Sequence, residues 1–465
     1  MAESATFSAP QSAAAEQTTG DPHQQGPRPK REKVLPVTRS ALLDRLTAPE
    51  QWPSGEAAQA RRFLHCLGDW RRHCYAAKLF DMEQTYEPFN PDADRLHTRE
   101  LAAGKRAAMQ RRLVRQMADL LQQGNFTRLE PASLRLTLTR DRAHGLDCEV
   151  DLDAFEEILI YWRGATTIPE RHRDVTRAYM RWKEVQVAAF QRMCLLFKLK
   201  PFDIRIKEVM HERKVGQREA ERHVRRLRGR LPATLTSDCI YIKLFKNVPR
   251  SGVEMIFPNT KVRSRLFDKV KLAATAGAGL GIGVFGAAGK LGAMSNPYVL
   301  SVAIAGLGGI ALRQAANFVN LRTRYMAARV QNLYCHAMAD NRAAMTLLAD
   351  RATEEDVKEE MLLYSVLAKE RVNVRELPAV AEAIEQFLEH TFAVTVGFDV
   401  EGALARLRAE GVVAERPDGT LETLPPHAAA PRIDELWDGR LNAPPANPVE
   451  EGDEVAATGE EPAVE

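Results

Sequence analysis

The residues that could do chemistry are few and scattered. Glu354, Glu355, Asp356, Glu359 and Glu360 crowd one short stretch, and such a cluster could hold a metal through its carboxylates. The Glu-x-x-His partner of helical carboxylate centres is absent, however. Behind Thr353 the run reads better as a helix start, a capping box with solvated acids where the helix dipole favours them. His65-Cys66 and His73-Cys74 offer soft ligands, but eight residues of helix span about 12 Å, too far for one ion. His211-Glu212 is followed by Val215, where a zinc-peptidase helix needs its second histidine. The stretch Gly281-Ile282-Gly283-Val284-Phe285-Gly286 fits GxGxxG. A dinucleotide site also needs a preceding strand and an acid about 20 residues on; Ala273 to Ala276 is a poor strand and no acid occurs between Asp268 and Asp340. Gly289-Lys290 resembles the end of a phosphate loop, but Val284 and Leu291 occupy its glycine and Ser/Thr positions. No GxSxG occurs. No catalytic, cofactor-binding or metal-ligating residue is therefore assigned, and the balance leans away from an enzyme.

The chain that would position any such group has 465 residues, 45% of them hydrophobic and 27% charged. That length and composition call for two or three compact units and exclude a peptide, a fibre and a disulfide-rich mini-protein. A net charge of +3 is too balanced to imply a nucleic-acid partner. Six cysteines without CxxC spacing read as reduced thiols. Residues 1–33, rich in Ala, Ser, Gln, Gly and Pro, and the acidic residues 442–465 are expected to be disordered tails.

The strongest sequence signal lies between Leu272 and Leu312, where Lys290 is the sole charge. An uncharged run over 272–289 would make a helix about 27 Å long, close to a bilayer's hydrocarbon thickness. A turn at Ser295-Asn296-Pro297 precedes a second run over 298–312. Gly277, Gly279, Gly281 and Gly283, followed by Gly289, give small faces on the first run, and Ser301, Ala305 and Gly309 give one on the second; such faces let helices approach closely in lipid. Lys261, Arg263, Arg265, Lys269 and Lys271 precede the stretch, and Arg313, Arg322, Arg324 and Arg329 follow it. Cations on both flanks predict that both ends stay on the cytoplasmic or matrix side. The expectation is a transmembrane helical hairpin over 270–313 in an integral membrane protein with two spans and the bilayer as partner.

Around the hairpin, 34–128 reads as helical, with helices over 56–82 and 92–123. The region 129–265 reads as α+β, with strands at 134–138, 148–152, 158–162, 189–199, 239–245 and 253–257. Within it one basic helix over 204–228 carries cations through Arg213, Lys214, Arg218, Arg222, Arg225, Arg226, Arg228 and Arg230. It could lie on anionic lipid headgroups; without interleaved aromatics, nucleic acid is the weaker partner. Residues 314–375 read as long helices. Residues 376–438 read as helix, helix, hairpin, a winged-helix-like module whose mixed second helix (Glu401, Arg406, Arg408, Glu410) suits packing or protein binding rather than DNA reading.

Residues 239–272 closely resemble the signature of a family catalogued only as a domain of unknown function, through Lys243, Phe245, Lys246, Pro249, Glu254, Phe257, Pro258 and Asp268. Tyr86 to Asp94, Asp151 to Phe155, Arg163-Gly164, Phe398-Asp399-Val400 and Leu436-Trp437-Asp438 resemble it too, so the similarity is expected over about 34–438. Ser251-Gly252 departs from the family's small residue and acid. The family's vertebrate member is a mitochondrial protein with two membrane spans, and the resemblance implies those spans but no activity, ligand or catalytic residue. The combined expectation is a mainly α chain with an α+β region, a membrane hairpin between soluble regions and a winged-helix-like end. As a function it implies a membrane-anchored scaffold or regulatory interaction protein, with a protein partner or a second copy. A hydrolase-like membrane enzyme, with its site between the α+β region and the later helices, is the alternative.

Overall fold

The computed structural model describes residues 33–53, 55–92, 101–130, 146–173, 182–229, 231–250, 253, 256–264 and 336–442. In chain order the helices are α1 (Arg39–Leu46), α2 (Glu56–Tyr86), α3 (Ala103–Gln123), α4 (Phe202–Arg213), α5 (Gln217–Arg228), α6 (Asn341–Leu367), α7 (Leu377–Phe392), α8 (Val400–Ala409) and α9 (Pro426–Asn442). The strands are β1 (Thr127–Arg128), β2 (Leu146–Glu149), β3 (Phe155–Arg173), β4 (Trp182–Leu199), β5 (Ile240–Pro249), β6 (Lys261–Ser264), β7 (Ala337–Asp340), β8 (Val372–Asn373), β9 (Val413–Glu415) and β10 (Thr420–Thr423). The chain divides into two units, Met1–Thr127 with Asn341–Glu465, and Arg128–Asp340.

The first unit is helical and closes around α6. On α2, Ala60, Phe63, Leu64, Leu67 and Trp70 recur at helical spacing and are buried. They join Leu42, Leu43 and Leu46 of α1, Met361, Leu362 and Tyr364 of α6, and apolar side chains of α7 and α8 in one core. From Glu355 to Leu367 every residue of α6 is buried, as befits a helix surrounded on all sides. Asp399 caps α8 by accepting from the Gly402 amide. The short antiparallel sheet has the order β8-β10-β9, and Asn373 with Glu376 forms a capping box just before α7. Helix, helix and hairpin therefore follow one another over 377–423, with β8 as a third strand, and α9 follows where no helix was expected.

The second unit is built on a five-stranded antiparallel sheet, order β1-β3-β4-β5-β7. β3 and β4 have 19 and 18 residues, far longer than the 158–162 and 189–199 segments legible in the sequence. Phe155, Phe197, Tyr241, Phe245, Val253 and Phe257 form its core. No strand is described at 253–257, where Val253 and Phe257 instead plug that core. β2 and β6 pair separately. The expected single helix over 204–228 is broken in two: Lys214 takes φ +52° and Gly216 precedes α5.

These observations correct the expected fold class and placement. The architecture is mixed α/β around an antiparallel sheet, not mainly α. Among the described residues no helix is long and apolar enough to cross a membrane. The longest, α2 with 31 residues, carries charges along its whole length. A transmembrane hairpin and a two-span integral placement are thus not supported, and the membrane-spanning reading is withdrawn. Leu272, Gly277, Gly279, Gly281, Gly283, Gly289, Lys290, Pro297, Ser301, Ala305, Gly309 and Leu312, the hairpin residues, lie outside the described residues, as do Glu254, residues 1–32, 134–138 and 443–465.

Candidate functional site

The acid run of α6 is no helix start. Thr353 sits in mid-helix, its hydroxyl donating to the Ala349 carbonyl. Among the residues that follow it, Glu355, Asp356, Glu359 and Glu360 are buried to between 0 and 4% exposure. Isolated carboxylates cannot remain charged in such surroundings, so each one is met by a donor. Glu355 accepts from the Leu35 amide (2.9 Å), while Lys358 donates to the Leu35 carbonyl (2.6 Å) and pairs with Glu355 (2.8 Å). The two side chains thereby grip the backbone of the segment before α1.

The other three acids face two guanidinium groups. Arg406 of α8 donates through Nε to Glu360 (2.6 Å) and through Nη2 to Glu359 (2.7 Å). Its Nη1 stands 3.1 Å from Asp356 Oδ1, an ion pair without hydrogen-bond geometry. Arg71 of α2 lies 2.8 Å from Glu360 and 2.5 Å from Glu410. Neutral donors complete the shell: Trp70 to Glu410 (2.9 Å), Tyr75 to Asp356 (2.7 Å) and Asn125 to Glu359 (3.0 Å).

Four carboxylates against two cations leave an excess of negative charge, and burial sharpens it. Burial pushes Glu359 and Glu360 up to about 7 against the opposing pull of Arg406 and, for Glu360, of Arg71. It raises Asp356 and Glu410 as well. Burial opposes the charge of Arg406 and of Arg71, yet the surrounding carboxylates hold both above the ordinary arginine value. Glu410 Oε2 is buried with no hydrogen-bond partner among the described residues, a natural seat for a proton. The network joins α2, α6 and α8, and it does not resemble a metal centre: no group of three His, Cys, Asp or Glu suited to a metal occurs among the described residues.

Thiol chemistry fares no better. Cys74 is raised, first by burial, and its Sγ lies 3.9 Å from Arg440. Cys194, in the second unit, is pushed up to about 12 by burial. Neither thiol is activated as a nucleophile. His73 packs against Trp437 with the rings tilted by 41° and their centroids 4.4 Å apart, instead of pairing with a cysteine.

The basic stretch, by contrast, is open. α4 and α5 fold together over a thin apolar seam of Val209, Ala220 and Val224. Arg205 is drawn inward to Glu208 (2.9 Å) and Glu212 (3.0 Å), and Arg228 reaches the Lys200 carbonyl. Arg213, Lys214, Arg218, Arg222, Arg225 and Arg226 are exposed, and of these Arg225 pairs with Glu221 (2.6 Å). Arg230 lies outside the described residues.

The signature residues serve the sheet. Lys243 pairs with Asp340 of β7 (2.9 Å), Phe245 is buried, the Lys246 carbonyl accepts from His336 Nδ1 (2.8 Å), Pro249 ends β5 opposite Ala189, and Pro258 is half-buried in a turn. They brace strands around β5 and do not converge on a cleft.

Comparison with known families agrees with that placement. Residues 155–343 match a family model described as "Protein of unknown function (DUF3754)". A DUF3754 domain is found there. The match spans β3 to β7 with α4 and α5, is narrower than the 34–438 expected, and carries no activity. No solved structure matches the chain.

Proposed function

We propose that the protein is a non-catalytic interaction protein that docks peripherally, through the exposed cations of α4 and α5, on an anionic lipid headgroup surface. The observation behind this reading is the contrast between the two charge clusters. The acids are consumed inside a closed network, whereas Arg213, Lys214, Arg218, Arg222 and Arg226 stand exposed on one helical hairpin. α8, the helix that would face DNA in a winged-helix-like module, turns Arg406 inward and pairs Arg408 with Glu415 at 2.5 Å, which disfavours nucleic-acid reading through that end. The basic hairpin lacks exposed aromatic residues for base stacking.

The test is sedimentation of the full chain with vesicles of phosphatidylcholine alone or mixed with phosphatidylserine. Each arginine near an anionic surface contributes about 1 kcal/mol. Replacing Arg218, Arg222 and Arg226 by Glu should therefore reduce binding to the mixed vesicles by more than about 100-fold, with the melting temperature preserved. Equal binding to both vesicle types, unchanged binding by the triple variant, or binding of single-stranded RNA in preference to vesicles would overturn the reading.

A further inference from the structure

A cavity of about 320 Å³ lies in the first unit between α2 and α3, with Ala349 of α6 at its edge. Each long helix lends it one stripe. Tyr75, Lys78, Leu79 and Met82 recur at i, i+3, i+4 and i+7 on α2, and Gln116, Asp119, Leu120 and Gln123 do so on α3. The helices run antiparallel. Tyr75 bonds Gln123 at one end (3.0 Å), while Asp81 accepts from Gln116 (2.6 Å) and Arg112 (2.9 Å) at the other.

Those two ends are closed by polar pairs, but the level between them is not. There the register brings Lys78 of α2 opposite Asp119 of α3. They are opposite charges, both exposed, and among the described residues neither forms an ion pair with the other or with a third group. Lys78 Nζ lies 4.8 Å from the Tyr75 ring centre instead. The wall beside them is apolar (Leu79, Met82, Leu120, Ala349). Gln116 lines the same opening through its other atoms, its Oε1 being closed off from it.

We propose that this cavity binds a small zwitterion, a free α-amino acid with an apolar side chain. Lys78 receives its carboxylate, Asp119 receives its ammonium group, and the side chain rests on Leu79, Met82 and Leu120. The volume is at the lower end of the range for small-molecule sites, which suits a molecule of that size. The site is independent of the docking surface on α4 and α5.

The test is isothermal titration of the full chain with L-leucine, L-methionine and L-phenylalanine, and with two leucine fragments, isoamylamine and 4-methylvalerate. Saturable binding of at least one amino acid is expected. It should weaken at least tenfold in Lys78→Ala and in Asp119→Asn, and each single-charge fragment should bind at least tenfold more weakly than leucine. Both substitutions are at exposed positions, and circular dichroism checks that the variants fold. No saturable binding by any of the three amino acids overturns the proposal. So does unchanged affinity in either variant, or a fragment that binds as tightly as leucine.

Discussion

Replacing Arg406 with methionine removes the cation that touches three buried carboxylates while keeping an apolar stem of similar reach. In the native unit Arg406 meets Glu360, Glu359 and Asp356 at 2.6, 2.7 and 3.1 Å. Removing one partner of a buried ion pair costs about 3–5 kcal/mol. Here each acid retains one donor: Arg71 for Glu360, Tyr75 for Asp356 and Asn125 for Glu359. The cost at pH 8 should accordingly fall near the lower limit, about 3 kcal/mol. It should also depend on pH. Glu359 and Glu360, at about 7 in the folded chain, bind protons that the unfolded chain has released above its ordinary carboxylate value. Their linked stabilisation is therefore complete below about pH 4.5 and is lost as pH rises through about 7. At pH 5.5 both acids are largely neutral, an uncharged pair needs no guanidinium, and the penalty should shrink to about 1 kcal/mol. Urea unfolding at the two pH values, read by hydrogen exchange of amides in α6, reports this unit alone. A penalty equal at both pH values, or below about 1 kcal/mol at pH 8, would refute the reasoning.

Leu35 is 2% exposed and its backbone is held by Glu355 and Lys358, so Leu35→Ala should cost about 2–4 kcal/mol in urea unfolding. Lys33→Ala, which breaks an exposed pair with Asp399, should cost less than about 0.5 kcal/mol in the same assay. In the second unit Gly164 has φ +70° and its missing Cβ would press on Gln191. Gly164→Ala should lower stability by about 1–2 kcal/mol, measured by thermal unfolding, with the amides of β3 and β4 losing exchange protection first.

The helices with one apolar face were legible because their periodicity survives in the sequence: α2 falls within a few residues of expectation, and α7, α8 and the β9–β10 hairpin follow in the expected order. The long hairpin of β3 and β4 was not, because Gly164 and Pro169 look like strand breakers. Among the described residues β3 pairs with β4 at Pro169, an edge position where proline's missing donor is tolerated. The buried network was hidden for another reason. A helix enclosed on every side has no polar face, so Glu355 to Glu360 looked solvated. The available clue was local: Glu359-Glu360 runs straight into Met361-Leu362-Leu363-Tyr364, with no polar residue at helical spacing to carry a wet face. Arg406, set between Leu404 and Leu407, was similarly legible only as half of a mixed surface. The membrane expectation came from 272–312, which lie outside the described residues, and no described helix supports it.

The first unit is assembled from both arms of the chain, with Arg128–Asp340 inserted between them. Arg71 is made early, its partner Glu360 on α6 much later, and Arg406 and its other partner Glu410 later still. At ordinary rates of synthesis roughly 20–60 s separate the two arginines. During that interval α2 must wait in the nascent chain with an unanswered cation beside Trp70 and Leu67, while the inserted unit has all of its own sequence available to fold first.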